Sequence, residues 1–66
     1  MNILLNGKVE TVSESTVLMD IIKSKKLTPE TLIVEINGKI LKKDEYNSKI
    51  VQKNDKIEIL RFVGGG

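Results

Sequence analysis

The chain has 66 residues, of which 39% are hydrophobic and 30% charged, and its formal net charge is +2. This length suits one small domain, and the composition is that of a folded globular protein rather than a disordered or membrane chain. The chain contains no Cys, His or Trp, which excludes disulfides, thiolate or imidazole metal sites and triads built on Cys or His. We therefore expect a binding or carrier module and not an enzyme.

The first half of the chain predicts a β-hairpin followed by one helix. Residues 3–5 and 9–12 flank Asn6-Gly7, and Asn-Gly between extended segments is a strong hairpin signal. Residues 17–26 carry apolar side chains at helical spacing, with Ser15 or Thr16 as the expected N-cap. The helix therefore presents one apolar stripe.

The second half predicts three further strands. Residues 32–36 form a strand, and Asn37-Gly38 turns the chain into a short strand at 40–41. Residues 42–54 are expected to form a packed loop with one helical turn over 44–47, and the last strand covers 56–63. The expected loop anchors are Tyr46, Ile50 and Val51.

Together these elements predict an α+β fold of the β-grasp, or ubiquitin-like, type. A single mixed sheet would have one helix packed across it, so that one apolar helix face meets one apolar sheet face. We expect residues 1–63 to form the β-grasp domain and residues 64–66 to form a flexible glycine tail.

The three terminal glycines are the most informative feature of the sequence. Gly64, Gly65 and Gly66 follow a strand, and residues without a Cβ would make a thin arm able to enter a narrow channel of another protein. A frayed terminus or a residual linker would also end in glycine. The rest of the chain offers no other reactive group, which favours a role for the Gly66 carboxylate.

Alternation along the last strand predicts a docking surface beside this tail. Successive side chains point to opposite faces, so Leu60 and Phe62 share a face with Glu58, which marks that face as solvent-exposed. In the competing interpretation, these apolar side chains bury one another or pack under the loop and bind no partner. Because a tail that enters an enzyme needs a contact surface nearby, we favour docking, and we expect Leu4 on the same face.

Other polar residues carry weaker signals. The lysines are interrupted by acidic residues, which indicates a solvated surface rather than a nucleic-acid site. Asp44-Glu45 lacks further ligands and is expected to be loop surface, so we predict no metal site. No signal peptide or membrane-spanning run is found, and we expect a cytoplasmic protein.

The whole chain resembles the ThiS family, the ubiquitin-like sulfur carriers of thiamine biosynthesis. The resemblance is carried by the opening segment 1–7, by Thr16-Val17, by residues 34–40, by Ile50-Val51 before the Asn54-Asp55 turn, and by residues 62–66. Ubiquitin itself has a basic run before its glycines, whereas this chain has only Arg61, which disfavours conjugation to proteins.

The resemblance implies a carrier that binds no cofactor of its own. A ThiF-like, E1-like adenylyltransferase would adenylate Gly66 using ATP and Mg, and a persulfide donor such as a cysteine desulfurase would supply sulfur. The resulting thiocarboxylate would serve thiazole synthase. Gly64 and Gly65 would thread both partner enzymes, Leu60 and Phe62 would dock them, and the free carrier would be a monomer.

Two alternatives remain open at this point. The small subunit of molybdopterin synthase uses the same carrier chemistry but is usually longer and richer in Pro and aromatic residues. A β-grasp RNA-binding or regulatory module with an incidental tail would keep its function without Gly65 and Gly66.

Overall fold

A computed structural model describes residues 1–61 of the chain. Over that range its elements follow the predicted order, although residues 62 and 63 of the predicted last strand lie outside the described part. The elements are β1 (Asn2–Leu5), β2 (Lys8–Thr11), α1 (Leu18–Ser24), β3 (Leu32–Ile36), β4 (Lys39–Ile40) and β5 (Lys56–Arg61), with 3-10 turns at Pro29–Thr31 and Lys43–Glu45.

The strands of this range form a mixed sheet in the order β2-β1-β5-β3-β4. β1 and β5 run parallel, whereas the other neighbouring strands are antiparallel. With α1 across one face, this is the predicted α+β β-grasp fold. Because β5 lies between β1 and β3, the described part of the chain ends, at Arg61, on the middle strand of the sheet.

Both hairpins turn at Asn-Gly, as predicted. The φ angles are 50° at Asn6 and 82° at Gly7, and 53° at Asn37 and 86° at Gly38. Positive φ at both central residues gives a turn whose twist matches that of the flanking strands. Asn tolerates this left-handed region and Gly adopts it without steric cost, so the local sequence determines both turns.

The core lies between α1 and the inner face of the sheet. Leu18 and Ile22 of the helix, and Ile57 and Val34 of the central strands, have 0% exposure. Burying such a side chain contributes about 1.5–3 kcal/mol relative to leaving it exposed. The buried hydrophobic set is Ile3, Leu5, Leu18, Met19, Ile21, Ile22, Leu32, Val34, Ile36, Tyr46, Val51, Ile57 and Ile59.

The predicted start of the helix is wrong. Val17, rather than Ser15 or Thr16, is the N-cap residue, and the Thr16 hydroxyl donates to the carbonyl of Ser13 at 2.6 Å. The first helical N–H groups are satisfied by a distant loop instead, since Leu18 N–H donates to the Lys49 carbonyl and Met19 N–H to the Tyr46 carbonyl. A local capping rule cannot detect such long-range acceptors.

The long loop before β5 packs as predicted at two of its three anchors. Tyr46 and Val51 are each 1% exposed, but Ile50 is 46% exposed, so its prediction as an anchor is wrong. Ile50 instead contributes its backbone, in an isolated β-bridge with Val17. The helical turn at Lys43–Glu45 begins one residue earlier than predicted.

The predicted short strand is also displaced by one residue. β4 covers Lys39–Ile40 instead of residues 40–41. The Leu41 N–H still donates to the Val34 carbonyl at 2.9 Å, so the chain stays beside β3 after the strand ends.

None of the helices in residues 1–61 is long and apolar enough to cross a membrane.

Candidate partner-docking surface

The outer face of the sheet, opposite α1, exposes the apolar residue predicted beside the tail. In β5, Ile57 and Ile59 are buried, whereas Glu58 and Leu60 are exposed, and Leu60 is 55% exposed. The alternation predicted for the described part of this strand is confirmed. The docking role of Leu60 stays a prediction.

Leu60 has an apolar neighbour that the sequence analysis missed. Ile33 of β3 lies directly opposite Leu60 in the antiparallel register and is 37% exposed. Directly opposed side chains of two such strands stand on the same face with their Cβ atoms about 5 Å apart. We call Leu60 and Ile33 the outer patch. The alternation that identified Leu60 also marks Ile33, because Ile33 shares a face with Glu35.

Leu4 lies on the outer face, as predicted, but at a distance from the outer patch. It is 37% exposed and stands beside Lys56 in the parallel register of β1 and β5. Leu60 is four residues further along β5, or about 13 Å at the usual rise of a strand. The outer face therefore carries separate apolar sites rather than one continuous patch.

Two carboxylates lie between these apolar sites. Glu58 of β5 and Glu35 of β3 are directly opposite each other in the register, and both side chains are on the outer face. Like charges at directly opposed positions destabilise a sheet. The outer patch is therefore bordered by negative charge.

A groove lies on the other side of the sheet, between the first hairpin and the end of the helix. Its volume is about 540 Å³, and Ile59 and Arg61 line it together, as expected for residues on one face of β5. Its rim also carries Lys8 and the Lys25–Glu10 ion pair, whose Nζ and Oε1 atoms are 2.7 Å apart. The groove is thus bordered by positive charge, in contrast to the outer patch.

Tyr46 is a structural residue, as predicted. Its hydroxyl donates to the Leu32 carbonyl at 3.2 Å. Burial raises the pKa of the Tyr46 phenol above its ordinary value, so the ring stays neutral and holds the loop against β3.

The carboxylates of the same loop also have local roles. The Glu45 carboxylate accepts the Lys42 N–H at 2.9 Å and so caps the 3-10 turn, while Asp44 is exposed. Among residues 1–61, no group of three or more possible ligands is placed to hold a metal ion.

The remaining predicted site residues lie outside the described range. These are Phe62 of the expected docking surface, Gly64 and Gly65 of the expected threading tail, and Gly66 with the expected reactive carboxylate. Of the five predicted site residues, the structure therefore describes only Leu60, and it places Leu60 on the central strand one residue before the described range ends.

Known proteins resemble this chain over its whole length. Residues 3–66 match the family model described as "ThiS family". The sulfur carrier protein ThiS of Bacillus subtilis is 38% identical over 63 residues, which cover 94% of this chain and 96% of that protein. A crystal structure of the thiamine biosynthesis protein ThiS of Geobacter metallireducens matches with a TM-score of 0.84 and 35% identity, covering 100% of both chains.

A longer relative matches only in part. The thiazole synthase of Magnetococcus marinus is 32% identical over 66 residues. This match covers all of the present chain but only 20% of that protein.

Proposed function

Because this chain belongs to the ThiS family, we propose that it is a sulfur carrier of thiamine biosynthesis whose reactive atom lies at Gly66. The family match carries this proposal, since it extends through residue 66 and includes the glycine tail. In this role the chain is the substrate of partner enzymes and contributes no catalytic residue of its own.

The proposed chemistry begins with an unreactive carboxylate. A ThiF-like adenylyltransferase uses ATP and Mg to join the Gly66 carboxylate to AMP, and pyrophosphate leaves. Sulfide, or the terminal sulfur of a persulfide from a donor such as a cysteine desulfurase, then attacks the acyl carbon and displaces AMP. Sulfide gives the thiocarboxylate directly, whereas a persulfide gives an acyl disulfide, whose S–S bond a second thiol cleaves by exchange, forming a disulfide with the donor and releasing the thiocarboxylate. The thiocarboxylate sulfur is a soft nucleophile for the same reason that a thiolate is.

The position of β5 supports this function. The strand runs through the middle of the sheet, where β3 and the first hairpin hold it on both sides as far as Ile59. The outer patch of Leu60 and Ile33 lies at this end of β5. We propose that the activating enzyme contacts the outer patch together with Phe62 while the tail enters its active site.

Thiazole synthase is the proposed acceptor of the sulfur. A sequence similar to this chain occurs within the thiazole synthase of Magnetococcus marinus, which supports an association between the two functions. Since the proposed activation consumes ATP, we place the reaction in the cytoplasm, with a monomeric carrier between encounters.

Intact-mass spectrometry tests the proposed function. The purified chain is incubated with ATP, Mg, sulfide and a ThiF-like adenylyltransferase, and a ThiS protein known to be modified serves as the positive control. We expect a mass increase that corresponds to one oxygen replaced by one sulfur, located at Gly66 by fragmentation. An unchanged mass while the control is modified would refute the proposal.

A second step separates thiamine biosynthesis from another carrier pathway. The thiocarboxylated chain is offered to thiazole synthase and, in parallel, to the large subunit of molybdopterin synthase. We expect sulfur transfer only with thiazole synthase, and transfer only with the molybdopterin enzyme would assign the carrier to that pathway instead.

A further inference from the structure

The first hairpin turn contacts the backbone of β5 two residues before Arg61, the last residue that the structure describes. Asn6 N–H donates to the Ile57 carbonyl at 2.9 Å. The Asn6 side chain makes two more hydrogen bonds, in which Oδ1 accepts the Ile59 N–H at 2.8 Å and Nδ2 donates to the Ile59 carbonyl at 3.3 Å. One residue therefore binds β5 at three points.

These bonds complete a strand edge that would otherwise be open. β1 ends at Leu5, opposite Ile57, so no β1 backbone reaches Ile59. The Asn6 amide carries a donor and an acceptor as a peptide group does, and it pairs with Ile59 as a further strand residue would. Two residues further along β5, Arg61 is paired with Leu32 of β3. Within residues 1–61, it has no strand partner on the edge that faces β1.

We propose that Asn6 is a positioning residue that holds the end of β5, from which the rest of the chain to Gly66 must reach a partner's active site. This inference rests on the proposed function, because it concerns delivery of Gly66 to a partner active site. The five residues after Arg61 can span at most about 18 Å, so a shift of the strand end changes the region that the reactive carboxylate can reach. Misplacement of reacting groups by about 1 Å can lower a rate by about 100-fold.

The second hairpin turn provides a matched control. Asn37 also has positive φ, and its Oδ1 accepts the Lys56 N–H at 2.9 Å while its own N–H donates to the Lys56 carbonyl at 2.8 Å. It thus binds β5 at the opposite end from the tail. Glycine at either position keeps the left-handed backbone and removes only the side-chain bonds.

The kinetic test compares Asn6→Gly with Asn37→Gly, using ATP and a ThiF-like adenylyltransferase. We expect Asn6→Gly to lower kcat for adenylation roughly tenfold or more with little change in KM, whereas Asn37→Gly keeps the wild-type kcat. Thermal unfolding measures the loss of stability in both variants. Equal kcat values for the two folded variants would reduce Asn6 to a purely structural role and overturn the proposal.

Amide measurements test the same inference without any partner enzyme. Asn6→Gly should accelerate hydrogen exchange at the Ile59 amide and lower the NMR order parameter of Arg61, while Lys56 stays as in wild type. Asn37→Gly should instead accelerate hydrogen exchange at the Lys56 amide and leave the Ile59 amide and the order of Arg61 as in wild type. Unchanged Ile59 exchange and Arg61 order in Asn6→Gly would overturn the inference even if the carrier is active. Failure of the wild-type chain to be adenylated would instead count against the proposed function.

Discussion

At the scale of single residues, the alternation of β5 separates an exposed residue from a core residue. Leu60 and Ile59 are adjacent large aliphatic side chains, yet one is 55% exposed and the other 8%. The sequence predicted this difference because Glu58 marks the outer face. It did not lead to Ile33, whose pairing with Leu60 depends on the register between strands that are distant in the chain.

The Leu60→Ala substitution tests the outer patch. We expect a loss of less than about 1 kcal/mol in the free energy of unfolding, as for an exposed residue, and a higher KM for the activating enzyme. The control Ile59→Ala creates a core cavity and should cost about 2–5 kcal/mol. Denaturant titration and steady-state adenylation measure the two effects. Similar losses of stability in both variants would place Leu60 in the core.

Tyr46 predicts a pH dependence of stability. Because burial raises the pKa of its phenol above the ordinary 10.0, the folded state holds this proton more tightly than the unfolded state. The free energy of unfolding should therefore fall as pH rises above about 10. At neutral pH, Tyr46→Phe should lower the free energy of unfolding by about 1 kcal/mol, because the hydroxyl hydrogen bond is removed. Above about pH 10, the variant should lack the part of the decrease in stability that ionisation of Tyr46 causes.

Denaturant titrations of both proteins between about pH 9 and pH 11, a range centred on the ordinary tyrosine pKa of about 10, check this prediction. The lysines titrate in both proteins, so the difference between the two curves isolates Tyr46. A constant difference across this range would contradict the raised pKa.

At the scale of elements, local sequence determines the two hairpin turns but not the start of the helix. Asn-Gly between strands strongly favours positive φ at both residues, so both turns could be predicted. The helix begins at Leu18 because carbonyl groups of Tyr46 and Lys49 accept its first N–H groups. These acceptors lie 27 and 31 residues further along the chain than the N–H groups that donate to them.

The second turn makes a quantitative prediction. Gly38 has a φ of +86°, and a Cβ added there would meet nothing within 4 Å. Gly38→Ala should therefore destabilise the protein by backbone strain alone, at about 1–2 kcal/mol. The neighbouring exposed substitution Lys39→Ala should change stability by less than about 0.5 kcal/mol. Denaturant titration compares them, and a fully stable Gly38→Ala protein would exclude the left-handed turn.

At the scale of the whole molecule, the order of elements and the β-grasp fold could be predicted because each element has a clear local pattern. The outer patch could be predicted only in part, since it joins two strands whose pairing the sequence does not show. Phe62 and the glycine tail lie outside the described residues, so their roles rest on the family resemblance and on the chemistry of a terminal carboxylate.

The central claim is that the Gly66 carboxylate is the reactive group of a ThiS-family carrier. The most direct measurement compares the intact mass of the chain with that of a variant extended by one alanine after Gly66, each incubated with ATP, Mg, sulfide and the activating enzyme. The extension leaves residues 1–61 unchanged but moves the terminal carboxylate onto a different residue. We predict that only the chain ending at Gly66 exchanges one oxygen for sulfur, and equal modification of the extended variant would contradict the claim.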